Sequence, residues 1–381
     1  MTSKSNSEKL TALVLQGGGA LGAYQAGVYE KLAENDYQPD WVAGISIGAI
    51  NAAIIAGNPP EARVDKLRAF WEGTTAGLQG HPLWFGETWR SLHSQLASTF
   101  TLFSGVPGFF TPRMPPPYLA FTRSPEALSF YDTTPLKKTL EELVDFDLLN
   151  DHGPRLSVGA VDVETGNFAY FDSSAMTIGP EHIMASGALP PGFAPVVIDG
   201  HAYWDGGLVS NTPLQYVLEN AAQCTMTIFQ VDLFSARGMI PTNIAEVAQR
   251  QKDIQYSSRT RLTTDRFREL AAISEAAERL AAKLPAALRD DPDLAKLKNV
   301  CPANQVKLVH LIHRKQHFES QSKDYEFSRL SMREHWAAGV DDVESTFRHE
   351  EWRKPTKKAG IQVFDLTARK DAKPRSRKEI A

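Results

Sequence analysis

Three glycine-framed segments contain the residues whose types and order suit acyl-transfer chemistry. They are Gly17-Gly18-Gly19-Ala20-Leu21-Gly22, Gly44-Ile45-Ser46-Ile47-Gly48 and Asp205-Gly206-Gly207. The first two follow apolar runs and precede segments with a helical pattern, so each is predicted at a turn from a strand into a helix. Backbone N–H groups exposed at such turns stabilise negative charge. Together the three segments indicate a serine hydrolase.

The second segment has the pattern of a nucleophile elbow. Ser46 would lie on a sharp turn that exposes its Oγ, and Gly44 and Gly48 would remove side chains that collide in so tight a bend. The pattern occurs by chance in many proteins, but here it directly follows the apolar run 41–45. Ser46 is therefore the candidate nucleophile.

The first segment is compatible with three kinds of loop. A phosphate-binding P-loop would need Lys and then Ser or Thr after its last glycine, whereas Ala23 and Tyr24 follow Gly22. A dinucleotide site would need an acid at the end of the next strand, and Asp40 precedes that strand instead. An oxyanion hole formed by N–H groups of residues 17–19 fits better, and a turn in which the glycines are purely structural stays open.

The base for Ser46 must come from an aspartate or a histidine. Asp205, followed by Gly206 and Gly207, lies in a segment that bends tightly and begins a helix. A triad with a later histidine is also possible, and the candidates are His201, His310, His313 and His317. None of these histidines has a motif around it, although His201 is in a turn close to Asp205. The residues alone favour Asp205 and leave a histidine open.

The same motifs resemble those of the patatin-like phospholipase family. A fourth block agrees with it as well, Ala185-Ser186-Gly187-Ala188-Leu189-Pro190 ahead of Phe193-Ala194-Pro195, so the resemblance covers roughly residues 10–215. It implies that Ser46 is the nucleophile, that Asp205 is its partner in a Ser-Asp dyad, and that residues 17–22 form the oxyanion loop. No catalytic histidine is then needed. Gly207, where many relatives have alanine, and the bulky Ile45 and Ile47 depart from the family pattern and bear on substrate preference.

The function implied by this resemblance is that of a serine lipid acyl hydrolase. It would cleave carboxylic esters of lipids, in the manner of a phospholipase A or a lysophospholipase, through an acyl-enzyme. Two alternatives stay open, a carboxylesterase for small esters and a non-catalytic protein that binds lipid or regulates a partner. The sequence shows no cluster with metal-ligand spacing, so we expect neither a metal nor a cofactor.

Alternating strand and helix patterns predict an α/β fold. The family resemblance implies, more specifically, a three-layer α/β/α sandwich with a mainly parallel central sheet and a helical C-terminal extension. The predicted divisions are a catalytic domain at 8–235, a mostly helical extension at 236–352 and a basic, disordered tail at 353–381. An aromatic, cap-like insertion at 74–130 interrupts the catalytic domain, either as a lid or lipid-facing wall or as a small core of its own.

Composition and charge place further bounds on partners and location. A formal net charge of −4 gives no reason to expect nucleic acid as a partner, and the two cysteines fit a reducing compartment. The longest apolar stretch, 44–57, is too short to span a bilayer, and the first nine residues lack a signal-peptide core. We therefore expect a cytoplasmic protein whose contact with membranes, if any, is peripheral.

The tail has ten Lys or Arg against three Asp or Glu, which suits either attraction to anionic lipid or simple solvation. The oligomeric state is not indicated.

Overall fold

The computed structural model describes most of the chain. The described residues are 9–75, 86–121, 124–221, 225–285, 288–300, 305–314, 322–354 and 360–366, with the side chains at 86–92 and 125–126 left aside. The features that lie outside these ranges are residues 1–8, residues 76–85 of the aromatic insertion with Trp84, both cysteines, His317, and the tail after residue 366.

A nine-stranded mixed sheet forms the centre of the molecule. Its strands are β1 (Lys9–Leu15), β2 (Trp41–Gly44), β5 (Arg155–Asp162), β6 (Phe168–Asp172), β7 (Val196–Ile198), β8 (His201–Asp205), β9 (Thr225–Asp232), β10 (Gln305–Ile312) and β11 (Gly360–Phe364). The order is β11-β10-β9-β1-β2-β5-β8-β7, with β6 paired to β5. Neighbours from β11 to β5 are parallel, whereas β6 and β8 are antiparallel to β5. A separate small hairpin joins β3 (Thr111–Pro112) and β4 (Tyr131–Asp132).

Helices pack on both faces of the sheet. Their bounds are α1 (Ala23–Ala33), α2 (Ile47–Ala56), α3 (Arg63–Thr74), α4 (Gly86–Ser104), α5 (Thr134–Leu143), α6 (Phe146–Asp151), α7 (Pro180–Ser186), α8 (Leu214–Glu219), α9 (Ile244–Tyr256), α10 (Thr260–Ala281), α11 (Pro292–Lys298) and α12 (Arg329–Phe347). No helix in the described ranges is both long and apolar enough to cross a membrane.

The alternation of side chains along the strands creates two cores. In β1, Leu13 and Leu15 pack into the larger core with α1, α2, α3 and α12, whereas Ala12 and Val14 pack into the smaller core with α8 and α10. Successive strand residues point to opposite faces, so a strand buried on both sides is apolar at every position. The arrangement is an α/β/α sandwich with a mostly parallel sheet, which confirms the predicted fold class.

The sheet continues into the C-terminal part of the chain. Strand β10 pairs with β9, and β11 pairs with β10, so residues from 305 onward extend the same sheet that holds β1 and β2. The prediction of a disordered tail from residue 353 is wrong for Gly360–Phe364. Ile361 and Val363 point toward the smaller core, and this burial offsets the cost of ordering the segment. Where the chain divides into domains stays a prediction.

Register brings the two predicted catalytic residues to one edge of the sheet. Gly44 at the end of β2 lies opposite Val158 of β5, and Asp205 at the end of β8 lies opposite Ala160 of the same strand. Ser46 follows Gly44 by two residues. Both side chains therefore reach the carboxyl edge of the parallel strands, where α/β proteins generally bind their ligands.

Candidate active site

Ser46 occupies a strained turn between β2 and α2. Its backbone has φ 55° and ψ −124°, a left-handed conformation that residues with a side chain rarely adopt. The Ser46 N–H donates to the carbonyl oxygen and to Oγ of Ser186, at 3.2 and 3.1 Å. Strain of this kind costs about 1–3 kcal/mol and persists only where surrounding contacts enforce it. Ser186, in the fourth predicted block, supplies one of those contacts.

The glycines on either side of Ser46 are required by close backbone packing. A Cβ on Gly44 would lie 2.3 Å from the Gly48 carbonyl oxygen. A Cβ on Gly48 would lie 2.4 Å from the Leu15 carbonyl oxygen. Distances this short exclude any side chain without movement of the backbone. Residues 44–48 thus form a tight strand-to-helix turn with Ser46 at its centre.

Asp205 lies at the end of β8 and is almost completely buried, with 2% of its surface exposed. Its Oδ1 accepts a hydrogen bond from the Gly207 N–H at 2.7 Å, and both Asp205 and Ser46 border the same cavity. Burial raises the pKa of Asp205 to about 7, although the Gly207 N–H and the nearby Ser46 side chain act to lower it. A carboxyl group with such a pKa is a far better base than an exposed aspartate.

The glycine loop, residues 17–22, faces Ser46 across the site. The Gly17 N–H donates to the Asn211 carbonyl oxygen at 3.1 Å, and the Asn211 side-chain amide donates to the Gly17 carbonyl oxygen at 3.0 Å. The Gly17 N–H is thus used within the protein. Gly18 and Gly19 border the cavity in front of Ser46, and Gly19 has φ +54°. Their N–H groups are the better candidates for oxyanion donors.

The other predicted glycines act by allowing close approach. A Cβ on Gly22 would lie 2.5 Å from Cγ1 of Ile47, so this glycine lets the loop pack on the first turn of α2. A Cβ on Gly206 would lie 2.6 Å from the Gly159 carbonyl oxygen. Gly207 has more room, since its nearest neighbours would be 3.0 and 3.1 Å away.

A cavity of about 290 Å³ opens in front of Ser46 and Asp205. One wall is aromatic and aliphatic, and it is formed by Ile47, Ile50, Leu102, Phe109, Phe110, Tyr131, Leu189, Phe193 and Phe327. The rest of the lining includes the glycine loop, Asn211, Tyr256, Asp324 and Tyr325. Phe109 and Phe110 come from the aromatic insertion and are buried in the apolar wall. The cavity therefore offers an apolar surface in front of Ser46.

The histidines in the described ranges do not line this cavity. His310 contacts Asp232 with Nε2 at 2.6 Å from Oδ2, and exposed His201 lies 3.5 Å from Asp162. His313 packs against Tyr24 with ring centroids 5.2 Å apart. Of the two kinds of base considered from the sequence, the geometry favours Asp205.

Several residues of the site were not predicted from the sequence. Gln16 accepts the Leu233 and Phe234 N–H groups with Oε1 and donates to the Thr212 hydroxyl with Nε2. Asn211 lies in the segment that follows Asp205, which was the available signal for it. Tyr256, Asp324, Tyr325 and Phe327 are distant in sequence and stand in no motif, so only the fold brings them to the cavity.

A serine on a strand-to-helix turn is the nucleophile elbow of α/β serine hydrolases, and here a buried carboxylate and a glycine loop lie beside it. The sequence model of the patatin-like phospholipase family matches residues 13–218, more than half of the chain. A second model, described as patatin phospholipase, matches residues 254–359. The chain belongs to the patatin-like phospholipase family.

Curated relatives agree with this assignment. A patatin-like phospholipase domain-containing protein of Caenorhabditis elegans is 25% identical over 215 residues, which are 56% of this chain and 13% of that protein. A triacylglycerol lipase of Arabidopsis thaliana is 39% identical over 70 residues, which are 18% of this chain and 8% of that protein. The matches thus span a small part of the length of these relatives.

A solved structure gives a more distant likeness. The crystal structure of VipD from Legionella pneumophila aligns with 90% of this chain and 69% of its own, at 12% sequence identity and a TM-score of 0.35. Family membership therefore rests on the sequence matches.

Proposed function

We propose that this protein is a serine lipid acyl hydrolase of phospholipase A or lysophospholipase type, in which Ser46 is the nucleophile and Asp205 the base. One observation carries the proposal: Ser46 is held at positive φ and lines an apolar cavity together with the buried Asp205. Family membership supports lipid esters as the substrate class.

The acylation step follows from these positions. Asp205 accepts the proton of Ser46 Oγ while that oxygen attacks the ester carbonyl carbon, and the tetrahedral oxyanion is bound by the N–H groups of Gly18 and Gly19. Collapse of the intermediate breaks the ester C–O bond, and the proton on Asp205 passes to the departing alcohol. The products are the free alcohol and an acyl-enzyme on Ser46.

Deacylation reverses the roles with water as the nucleophile. Asp205, again ionised, accepts a proton from water, and the resulting hydroxide attacks the acyl carbonyl carbon. The fatty acid leaves as Ser46 regains its proton. A pKa of about 7 suits both halves, because Asp205 must accept and release a proton at neutral pH.

The apolar wall of the cavity is the proposed acyl site. Phe109, Phe110, Phe193 and Phe327 cluster around one another, with Phe110 and Phe193 ring centroids 5.2 Å apart. Transfer of a fatty chain from water to such a surface is favourable by roughly 0.8 kcal/mol per buried CH₂. The described residues that line the cavity include Asp205 and Asp324 and no Lys or Arg, so a phosphate group would find no cation there.

Peripheral contact with a lipid surface is a further part of the proposal. The aromatic insertion buries Phe109 and Phe110 but exposes other large apolar side chains, among them Phe103 at 80% and Phe121 at 90%. Exposed apolar clusters are typical of surfaces that bind membranes or partners. Binding of Phe103→Ser with Phe121→Ser to phosphatidylcholine vesicles should be weaker than that of wild type. Leu280→Ser, which removes an exposed leucine of α10, is the control, and equal binding by all three would contradict the proposal.

The proposed activity is tested with a panel of phospholipids, lysophospholipids, acylglycerols and short-chain esters. Fatty-acid release by the wild type and its loss in Ser46→Ala would support lipid acyl hydrolysis and identify the preferred class. Release from short-chain esters alone would favour the small-ester carboxylesterase. No release from any member by folded protein would favour a non-catalytic lipid-binding protein.

A further inference from the structure

Four charged residues form two ion pairs beside the site, and these pairs join two segments that are distant in sequence. Lys252 and Asp253 lie in the last turns of α9, and Lys323 and Asp324 lie in the short 3-10 helix Lys323–Tyr325. Lys252 Nζ is 2.5 Å from Asp324 Oδ1, and Lys323 Nζ is 2.8 Å from Asp253 Oδ1. In each segment a lysine precedes an aspartate, and each lysine pairs with the aspartate of the other segment.

The two pairs differ in burial. The side chains of Lys323 and Asp253 are only 4% and 13% exposed, whereas Lys252 and Asp324 keep about a quarter and a fifth of their surface. The Lys323 ammonium also lies 5.2 Å from the ring centre of Phe234, which borders the cavity. Burying an ion pair adds little net stability, because desolvation offsets the attraction. Such a pair does fix the relative position of the segments that carry it.

The 3-10 helix held by these pairs rests directly on the glycine loop. A Cβ on Gly19 would lie 2.0 Å from the Asp324 carbonyl oxygen, so the Asp324 backbone occupies the space next to Gly19. Asp324 and Tyr325 also border the cavity. Any shift of this helix would therefore move the neighbour that fixes Gly19.

The end of α9 contacts residues that adjoin the same loop. The Tyr256 carbonyl oxygen accepts hydrogen bonds from Gln16 Nε2 and Asn211 Nδ2, both at 3.0 Å. Gln16 precedes the glycine loop, and Asn211 is bonded to Gly17 in both directions. Both segments that the ion pairs join are thus connected to the loop.

We propose that Lys252, Asp253, Lys323 and Asp324 form an ionic clamp that positions the glycine loop for oxyanion binding. They are positioning residues, because they act through the Asp324 backbone and the end of α9. This inference rests on the proposed function. Since the oxyanion forms only during the reaction, loss of the clamp should lower kcat and leave KM for a small ester nearly unchanged.

The outer pair gives the cleanest test, because Lys252 does not border the cavity. Lys252→Asp should lower kcat for p-nitrophenyl butyrate at least tenfold, and by no more than the roughly 10²–10³ that complete loss of one oxyanion donor costs. Lys252→Arg keeps a cation opposite Asp324 and should retain most of kcat. Retention of kcat within twofold by Lys252→Asp, or an equal loss in folded Lys252→Arg, would overturn the clamp.

A matched control comes from an ion pair elsewhere. Lys31 and Glu344 join α1 to α12 at 2.7 Å with similar exposure, so Lys31→Asp removes a comparable ion pair far from the glycine loop. This variant should keep kcat within twofold of wild type. A loss of kcat equal to that of Lys252→Asp would reduce the effect to general destabilisation and overturn the inference.

Hydrogen exchange tests the clamp without using activity. In Lys252→Asp, peptides that contain residues 17–22 should exchange faster than in wild type and in Lys31→Asp, because the loop has lost one of its fixed neighbours. Unchanged exchange would contradict the clamp even if kcat fell. A wild type that hydrolyses no ester would instead contradict the proposed function, and the exchange result would still decide whether the clamp holds the loop.

Discussion

Two buried aspartates flank the same strand and differ in what surrounds them. Asp172 of β6 lies opposite Ser157 near the start of β5, and Asp205 of β8 lies opposite Ala160 near its end. Both are at most 3% exposed. Asp172 stands at the amino edge of the parallel strands, whereas Asp205 stands at the carboxyl edge beside Ser46.

The surroundings give the two carboxyl groups opposite properties. Burial alone would raise the pKa of Asp172, but hydrogen bonds from Arg155, Ser174 and Ser157 outweigh it and hold that pKa well below its usual range. Tyr216 donates to the same carboxylate at 2.9 Å. Among the residues that the structure describes, no cation acts on Asp205, so burial dominates and raises its pKa to about 7. The comparison separates a carboxylate that is held in a hydrogen-bond network from the one that the proposed mechanism uses as its base.

The largest expected effect separates the two residues by activity. Asp205→Asn removes the proposed base and should lower kcat by three orders of magnitude or more, as losses within catalytic units typically do. Folded Asp172→Asn should keep kcat within a few-fold. Initial rates with a soluble ester give both values. Comparable losses in the two variants, or activity retained in Asp205→Asn, would refute the assigned roles.

Stability should change with opposite sign at pH 8. The pKa of Asp205 is higher in the folded than in the unfolded state, so the wild type loses stability as pH rises from about 4 to 7, by up to about 4 kcal/mol. Asp205→Asn escapes this loss and should be more stable than wild type at pH 8, with a smaller difference at pH 5.

Asp172 provides the opposite case, and urea unfolding of both variants at pH 5 and pH 8 measures the difference. Because its pKa is lowered in the folded state, ionised Asp172 adds to the free energy of unfolding above pH 4, and this addition is lost only in stronger acid. Asp172→Asn leaves Arg155 without its partner and should cost roughly 3 kcal/mol at both pH 5 and pH 8. A destabilised Asp205→Asn at pH 8 would contradict the comparison.

The pH dependence of the wild type sharpens the contrast further. Ser46 needs ionised Asp205, so kcat/KM for a soluble ester should rise about tenfold per unit below pH 7 and level off above pH 8. Asp172 stays ionised across this range and contributes no step. Rates measured from pH 5 to 9 decide the point, and a profile without a rise would speak against Asp205 as the base.

The smallest effect is expected at Gly207. A methyl group there would lie 3.1 Å from Asp205 Oδ1 and 3.0 Å from Asn211 Oδ1, a tight fit that small shifts relieve. Gly207→Ala should therefore lower kcat only a few-fold and leave Asp205 hydrogen-bonded to the N–H of residue 207. The initial rate and the pH profile of this variant are the measurements. A loss as large as that of Asp205→Asn would mean that Gly207 has a role beyond close packing.

The sequence supplied the local part of this account. Strand-to-helix turns at residues 17–22 and 44–48 were predictable, because apolar runs, glycines and helical periodicity all lie within a few residues of Ser46. The Asp172 network was not, since Arg155 and Tyr216 reach it only through strand pairing and helix packing.

The C-terminal contribution was equally hidden. Tyr256 and Asp324 carry no motif, and their contacts with the glycine loop span about 240 and 300 residues of sequence. Gly360–Phe364 lies in a segment of basic composition, and its five residues are too few to predict a strand. Composition averages over a window, whereas pairing with β10 depends on a few positions.

The most direct measurement of the central claim is mass spectrometry of the intact protein and its peptides after reaction with a fluorophosphonate. One adduct should form on the peptide that contains Ser46, should be absent in Ser46→Ala, and should form far more slowly in Asp205→Asn. An adduct on another residue, or ester hydrolysis that continues in Ser46→Ala, would contradict the Ser46–Asp205 mechanism.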